Sequence, residues 1–113
     1  MTKNGNNVYT VLYMIVDKTI LAFEWDKGNS EKNKKHNVDD KEAEEVFFDE
    51  KRFIFKDKVH SDNEERLRII GKTKPKRLLF IVFTKRKNKI RIISARDINK
   101  KEVYLYEEKI KSS

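Results

Sequence analysis

The sequence predicts an α+β fold, an antiparallel meander with helices packed against it, and three observations carry that prediction. β-branched and aromatic residues gather into apolar runs at Arg52–Asp57, in "RLRIIGKT" from Arg66, in "RLLFIVFTKR" from Arg77 and in "KIRIISAR" from Lys89. The later runs are joined by short polar turns, the connection that antiparallel neighbours need. Helix-start signals fall before and after the runs instead of between them, so helices and strands are segregated.

Taken in order, Met1–Asn7 is polar and reads as a frayed terminus. Tyr9 to Trp25 predicts two short strands, or one hairpin turning at Asp17–Lys18, the second carrying "FEW" into Asp26. Asp26 and Ser30 are N-cap candidates for a short lysine-rich helix ending at His36–Asn37, where Asn tolerates the left-handed conformation. Asp39 and Glu42 have capping-box spacing, with Ala43, Val46 and Phe47 on one face of the helix that follows. Arg52–Asp57 reads as a strand, "KVHSDNEE" as a polar loop, and Arg66 to Thr73 as a second strand. Gly71 and Pro75 are expected to mark a turn, and Asn88 a hairpin. "RLLFIVFTKR" is apolar on both faces and is expected to be central. Asn99 with Glu102 caps a closing helix that aligns Val103, Tyr106 and Ile110. The helices are expected on one side of the sheet.

The 113 residues suffice for one domain with one modest core. A formal charge of +8 favours an anionic partner, nucleic acid first and an acidic protein second, although the codon bias of an AT-rich genome also produces such a charge. Cysteine is absent, which excludes disulfides, thiolate metal sites and a cysteine nucleophile and suits a reducing cytoplasm. His36 and His60, the only histidines, have no paired ligand spacing, so a bound transition metal is not expected. Leu78–Phe83, the best apolar run, is too short to span a bilayer. No secretory signal is expected, because Asp17 and Lys18 break the apolar N-terminal stretch.

A family pattern overlies this reading. "FEWD" at Phe23–Asp26, "KH" at Lys35–His36 followed by Val38, "AEEVFFD" at Ala43–Asp49, "H…EER…IIG" from His60 to Gly71, "IRIISAR" at Ile90–Arg96 and a closing Glu102 and Tyr106 occur in order. Together they resemble the BrnT toxins, the ribonuclease halves of bacterial type II toxin–antitoxin pairs. The resemblance implies a fold related to the RelE/ParE toxins, cofactor-free endoribonuclease activity that inhibits translation and growth, and residence in the cytoplasm. It also implies a BrnA-like antitoxin with a ribbon-helix-helix DNA-binding region, through which any DNA contact would be made. On this basis residues 23–111 form a single toxin domain and residues 1–22 an N-terminal extension, partly strand, with Met14 as an alternative start. The chain departs from the pattern at Lys27, where many members have Pro, and at Asn37, where Gly is usual.

Metal-free RNA cleavage needs a base for the 2′-OH proton, cations for charge building on phosphorus, and an acid for the leaving oxygen. Arg91 and Arg96 suit the cationic role, with Arg66 and Arg68 on a neighbouring strand, because guanidinium grips phosphate at two points. Arg91 and Arg96 differ in strand parity and share a face only if the strand bulges or ends between them. Paired with Glu65 or Asp97, they would be ordinary surface ion pairs. His36 and His60 are the proton-transfer candidates, although a histidine at a helix end also simply complements the dipole. Glu65 is a candidate base, and Lys32 and Lys35 candidates for steering RNA or donating a proton. Trp25 and Tyr104 are candidates for stacking on a base, whereas Tyr106, on the apolar stripe, belongs to the core. The competing hypothesis is a catalytically inactive basic module that only associates with antitoxin or nucleic acid.

Overall fold

Residues 22–56 and 65–111 are described by the computed structural model. The expectations for Met1–Asn7, for the stretch from Tyr9 up to residue 21 and for the loop through His60 lie outside the described residues. Strand β1 (Phe23–Glu24) leads into helix α1 (Lys27–Lys34). Asp26 caps α1 reciprocally with Asn29, through bonds of 2.8 and 3.2 Å, and Asn37 takes φ 60° beyond its end, as its chemistry suggests. Helix α2 (Asp40–Val46) follows, with Asp39 N–H donating to Glu42 Oε1 at 3.2 Å. Strands β2 (Phe53–Lys56), β3 (Arg66–Lys72), β4 (Leu78–Arg86) and β5 (Lys89–Asp97) precede helix α3 (Lys100–Lys111). Asn99 and Glu102 close the cap of α3 with bonds of 3.0 and 2.9 Å.

The sheet order is β1-β5-β4-β3-β2, with β4 in the centre as its two apolar faces require. From β2 to β5 the pairing is antiparallel, the expected meander. The sheet as a whole is mixed, which corrects the purely antiparallel expectation: Phe23 and Glu24 pair in parallel with Ile90 and Arg91. A parallel neighbour needs a crossover, and everything between β1 and β5 supplies it.

The expectation of helices on one side also fails. Leu79, Ile81, Leu67, Ile69 and Ile92 face Val38, Ala43, Val46 and Phe47 in one core. Ile70 and Phe80 face Tyr106, with Ile98 and Ile110 beside it, in a second core. Alternation along β3 and β4 forces this: both faces are apolar, so each needs its own cover, α2 on one and α3 on the other. Gly71, read as a turn residue, lies inside β3. A Cβ there would stand 2.9 Å from Val46 Cγ1, so the glycine lets α2 sit close. The β3–β4 turn is made around Pro75 by Thr73 and Arg77, whose backbone groups bond at 2.9 Å. Among the described residues, no helix is long and apolar enough to cross a membrane.

Candidate active site

Strand β5 changes register against β4: Phe83 lies opposite Ile92 and Val82 opposite Ser94, which leaves Ile93 as an extra residue. This bulge removes the parity conflict. Arg91 lies opposite Thr84 and Arg96 opposite Phe80, and Thr84 and Phe80 share a face of β4, so both arginines belong to that face. Arg66 and Arg68, opposite Thr84 and Val82, join them from β3. Helix α1 seals the irregular edge. Asn29 Nδ2 donates to the Ile92 carbonyl at 2.8 Å and Asn33 Oδ1 accepts from Ala95 N–H at 2.9 Å. Both asparagines are buried, because they satisfy strand groups that β1 is too short to reach.

Helix α3 covers the part of this face around Ile70, Leu78 and Phe80. Beside that cover lies an open hollow of about 300 Å³, into which β3 brings Arg66 and Arg68, β5 brings Arg96 and Ser94, and α1 brings Lys32. Phe80, Val82 and Ile93 provide its apolar lining. The Arg96 guanidinium stacks 4.3 Å above the Phe80 ring and bonds Glu102 through both nitrogens, at 2.9 and 2.7 Å. Arg68 lies 5.4 Å from the same ring and 5.9 Å from Phe55. The Glu102 carboxylate holds Arg96 above its ordinary range against the opposing effect of burial. Burial pushes the Glu102 carboxyl up, but hydrogen bonds from Arg96 and Asn99 and the charges of Arg96 and Arg68 bring it net below the usual value. Planar cations over an aromatic floor can hold a phosphate and stack against a base.

Lys32, Arg66, Arg68 and Arg96 are thus brought together, and the other described candidates are not. Arg91 shares the face but bonds Asp26 at 2.9 and 3.2 Å and Glu24 at 3.4 Å at the sheet edge; its hydrogen bond, then that of Asn29, keeps the Asp26 carboxyl below its ordinary range. Glu65 pairs with Lys56 at 3.1 Å, and its carbonyl accepts from Thr84 Oγ1. His36 and Lys35 are exposed in the turn after α1, where the His36 carbonyl accepts from Arg77 at 3.3 Å. Trp25 packs on the core under α2 and donates to Glu44 Oε2 at 2.7 Å, which places it away from the hollow. Tyr104 is exposed on α3 and does not line the hollow, and His60 lies outside the described residues. Glu102 and Phe80 were missed as site residues. The signal for Glu102 was its place in the first turn of a helix just after Arg96, whereas Phe80, in a strand apolar on both faces, carried none. Among the described residues, no three His, Asp or Glu side chains converge as metal ligands.

Comparison with curated proteins returns no match. The family model described as "Ribonuclease toxin, BrnT, of type II toxin-antitoxin system" matches residues 25–102. That range is more than half the chain and includes every residue lining the hollow. The chain therefore belongs to the BrnT family, the ribonuclease toxins of type II toxin–antitoxin systems.

Proposed function

We propose that this toxin cleaves single-stranded RNA without a metal ion and thereby inhibits translation and growth until an antitoxin neutralises it. The observation that carries the reading is the convergence of Lys32, Arg66, Arg68 and Arg96, from three elements, on one hollow. In the proposed mechanism Arg96 and Arg68 grip the scissile phosphate and stabilise the charge developing on phosphorus. Lys32, which α1 brings to the same hollow, neutralises the departing 5′-oxygen. A hollow lined by cations repels a divalent ion and supplies that charge itself, which supports metal independence. His60 and Glu65 are the proposed proton-transfer groups: Glu65 immediately precedes Arg66, and an imidazole is chemically suited to proton exchange near neutrality. The proposal extends to a RelE/ParE-related fold in residues 23–111, to action in the cytoplasm, and to a BrnA-like antitoxin whose ribbon-helix-helix region makes the DNA contact.

The test is incubation of the purified protein with RNA in EDTA. The parent is expected to cleave, and Arg96→Ala or Arg68→Ala to slow cleavage by about a hundredfold or more. Arg96→Lys, which keeps a cation over Phe80, guards against misreading a folding defect. Cleavage that stops in EDTA and returns with magnesium would overturn metal independence. Intact RNA across pH and substrates would leave the binding-module reading in its place.

A further inference from the structure

We infer that the tip of the β4–β5 hairpin is a second phosphate-binding site, which holds the RNA strand where it leaves the hollow. The inference rests on the ribonuclease reading and goes beyond it by assigning a path to the substrate. On β4, Phe80, Val82, Thr84 and Arg86 alternate onto the face that carries the hollow, opposite Arg96, Ser94, Arg91 and Lys89 of β5. The bulge at Ile93 is what keeps the β5 residues in line across this length. Cations therefore continue past the hollow to the tip, about 13 Å from Val82 to Arg86 at roughly 3.3 Å per residue, a span of a few nucleotides.

At the tip lies a second open hollow, of about 690 Å³, lined by Arg86, Lys87, Asn88, Lys89 and Glu24. Among the described residues Glu24 is its single acid, and Arg86 and Arg91 already pair with that carboxylate at 3.3 and 3.4 Å. Lys85, Lys87 and Lys89 are all exposed, and among the described residues none of them makes an ion pair. Lys87 occupies a turn position with φ 54°, where Gly or Asn is the usual occupant, so a cation stands there against the backbone preference. Like charges gathered at one hairpin end repel one another, and a polyanion crossing them relieves that repulsion. An acidic protein segment would feel the same attraction. The succession of Arg68 and Arg66 on β3, opposite Val82 and Thr84, and then Arg86 and Lys89 at the tip favours a phosphate chain, whose charges repeat at regular intervals.

The test measures binding of a non-cleavable 2′-O-methyl RNA dodecamer and of the matching trimer, across salt concentrations. The variant Lys87→Gln/Lys89→Gln, at two residues that line the tip hollow, should lower the slope of log K against log salt by about 1.4 for the dodecamer, at roughly 0.7 per lost contact to a single strand. The trimer, which can bring at most its last phosphate to the tip, should lose less than half as much slope. A control, Lys41→Gln/Lys74→Gln, removes the same charge beside α2, away from this face, and should change the slope by less than half as much. An unchanged dodecamer slope in the tip variant overturns the inference, as does an equal loss in the control. A tip variant that binds both RNAs normally but loses affinity for an acidic peptide assigns the tip to a protein partner instead. A parent that binds no RNA overturns the ribonuclease reading as well.

Discussion

Glu102 is 9% exposed, and burial alone would push its carboxyl toward the neutral form. It stays ionised because Arg96 bonds both its oxygens and the cap of α3 supplies an N–H from Asn99. Its folded pKa is therefore depressed. The stability it contributes is complete above its ordinary value of 4.5 and is lost as pH falls below that through the folded value. Glu102→Gln keeps the cap, since Gln can accept the same N–H, but leaves Arg96 without its counter-charge. We expect a loss of about 1–2 kcal/mol at pH 7, at the low end for a charged bond, because Arg96 keeps 37% of its side chain in water. Thermal melts against pH check this, with the parent losing its advantage over the variant as pH drops below about 4.5. A constant difference down to strong acid would show that the pair is not the cause.

At the scale of elements, Gly71 sets the distance between β3 and α2. The missing Cβ would meet Val46 Cγ1 at 2.9 Å, the Val46 carbonyl at 3.1 Å and Asp49 Oδ2 at 3.2 Å. Gly71→Ala should therefore destabilise by about 1–3 kcal/mol, as overpacking does. Adding Val46→Ala should cost less than the sum of the two single changes, because it removes the worst contact. Urea unfolding of the four proteins checks this, and strict additivity would show that the helix is not held off by that contact. Locally encoded features of this kind differ in how legible they were. The caps at Asp39–Glu42 and Asn99–Glu102 could be read because each closes within one turn. Two-sided cover of the sheet was already implicit in the unbroken apolarity of "RLLFIVFTKR", but which helix takes which face depends on how Tyr106 and Val46 meet β3 from opposite sides. The parallel pairing of β1 could not be read, since Phe23 finds Ile90 only through the completed fold. In the site, arginine chemistry pointed to Arg96, Arg66 and Arg68. The reach of Lys32 depends on Asn29 and Asn33, which in sequence look like polar filler.

The whole molecule separates what holds it together from the face proposed to meet RNA. Asp49, after α2, accepts from Lys72 N–H of β3 at 2.8 Å and from the Tyr106 hydroxyl of α3 at 2.7 Å, so one carboxylate joins the cover of one face, the sheet and the cover of the other. Burial first, and then the bond to Asp49, raise the Tyr106 hydroxyl well above its ordinary range, so it remains a donor at any pH at which the protein is used. This junction stands at the Gly71 end of β3, whereas Arg66 stands at the other end, beside the hollow. Stability and RNA handling should therefore separate. Tyr106→Phe deletes one hydrogen bond while Asp49 keeps Lys72, so we expect a loss of about 1 kcal/mol, a fall in melting temperature of about 4–8 °C, and RNA cleavage close to the parent's at 25 °C. Arg66→Ala should instead reduce cleavage and its dependence on salt. Melting and cleavage measured on the same two variants decide the matter: a Tyr106→Phe protein that is folded at 25 °C yet as inactive as Arg66→Ala would mean that the α3 junction also shapes the site.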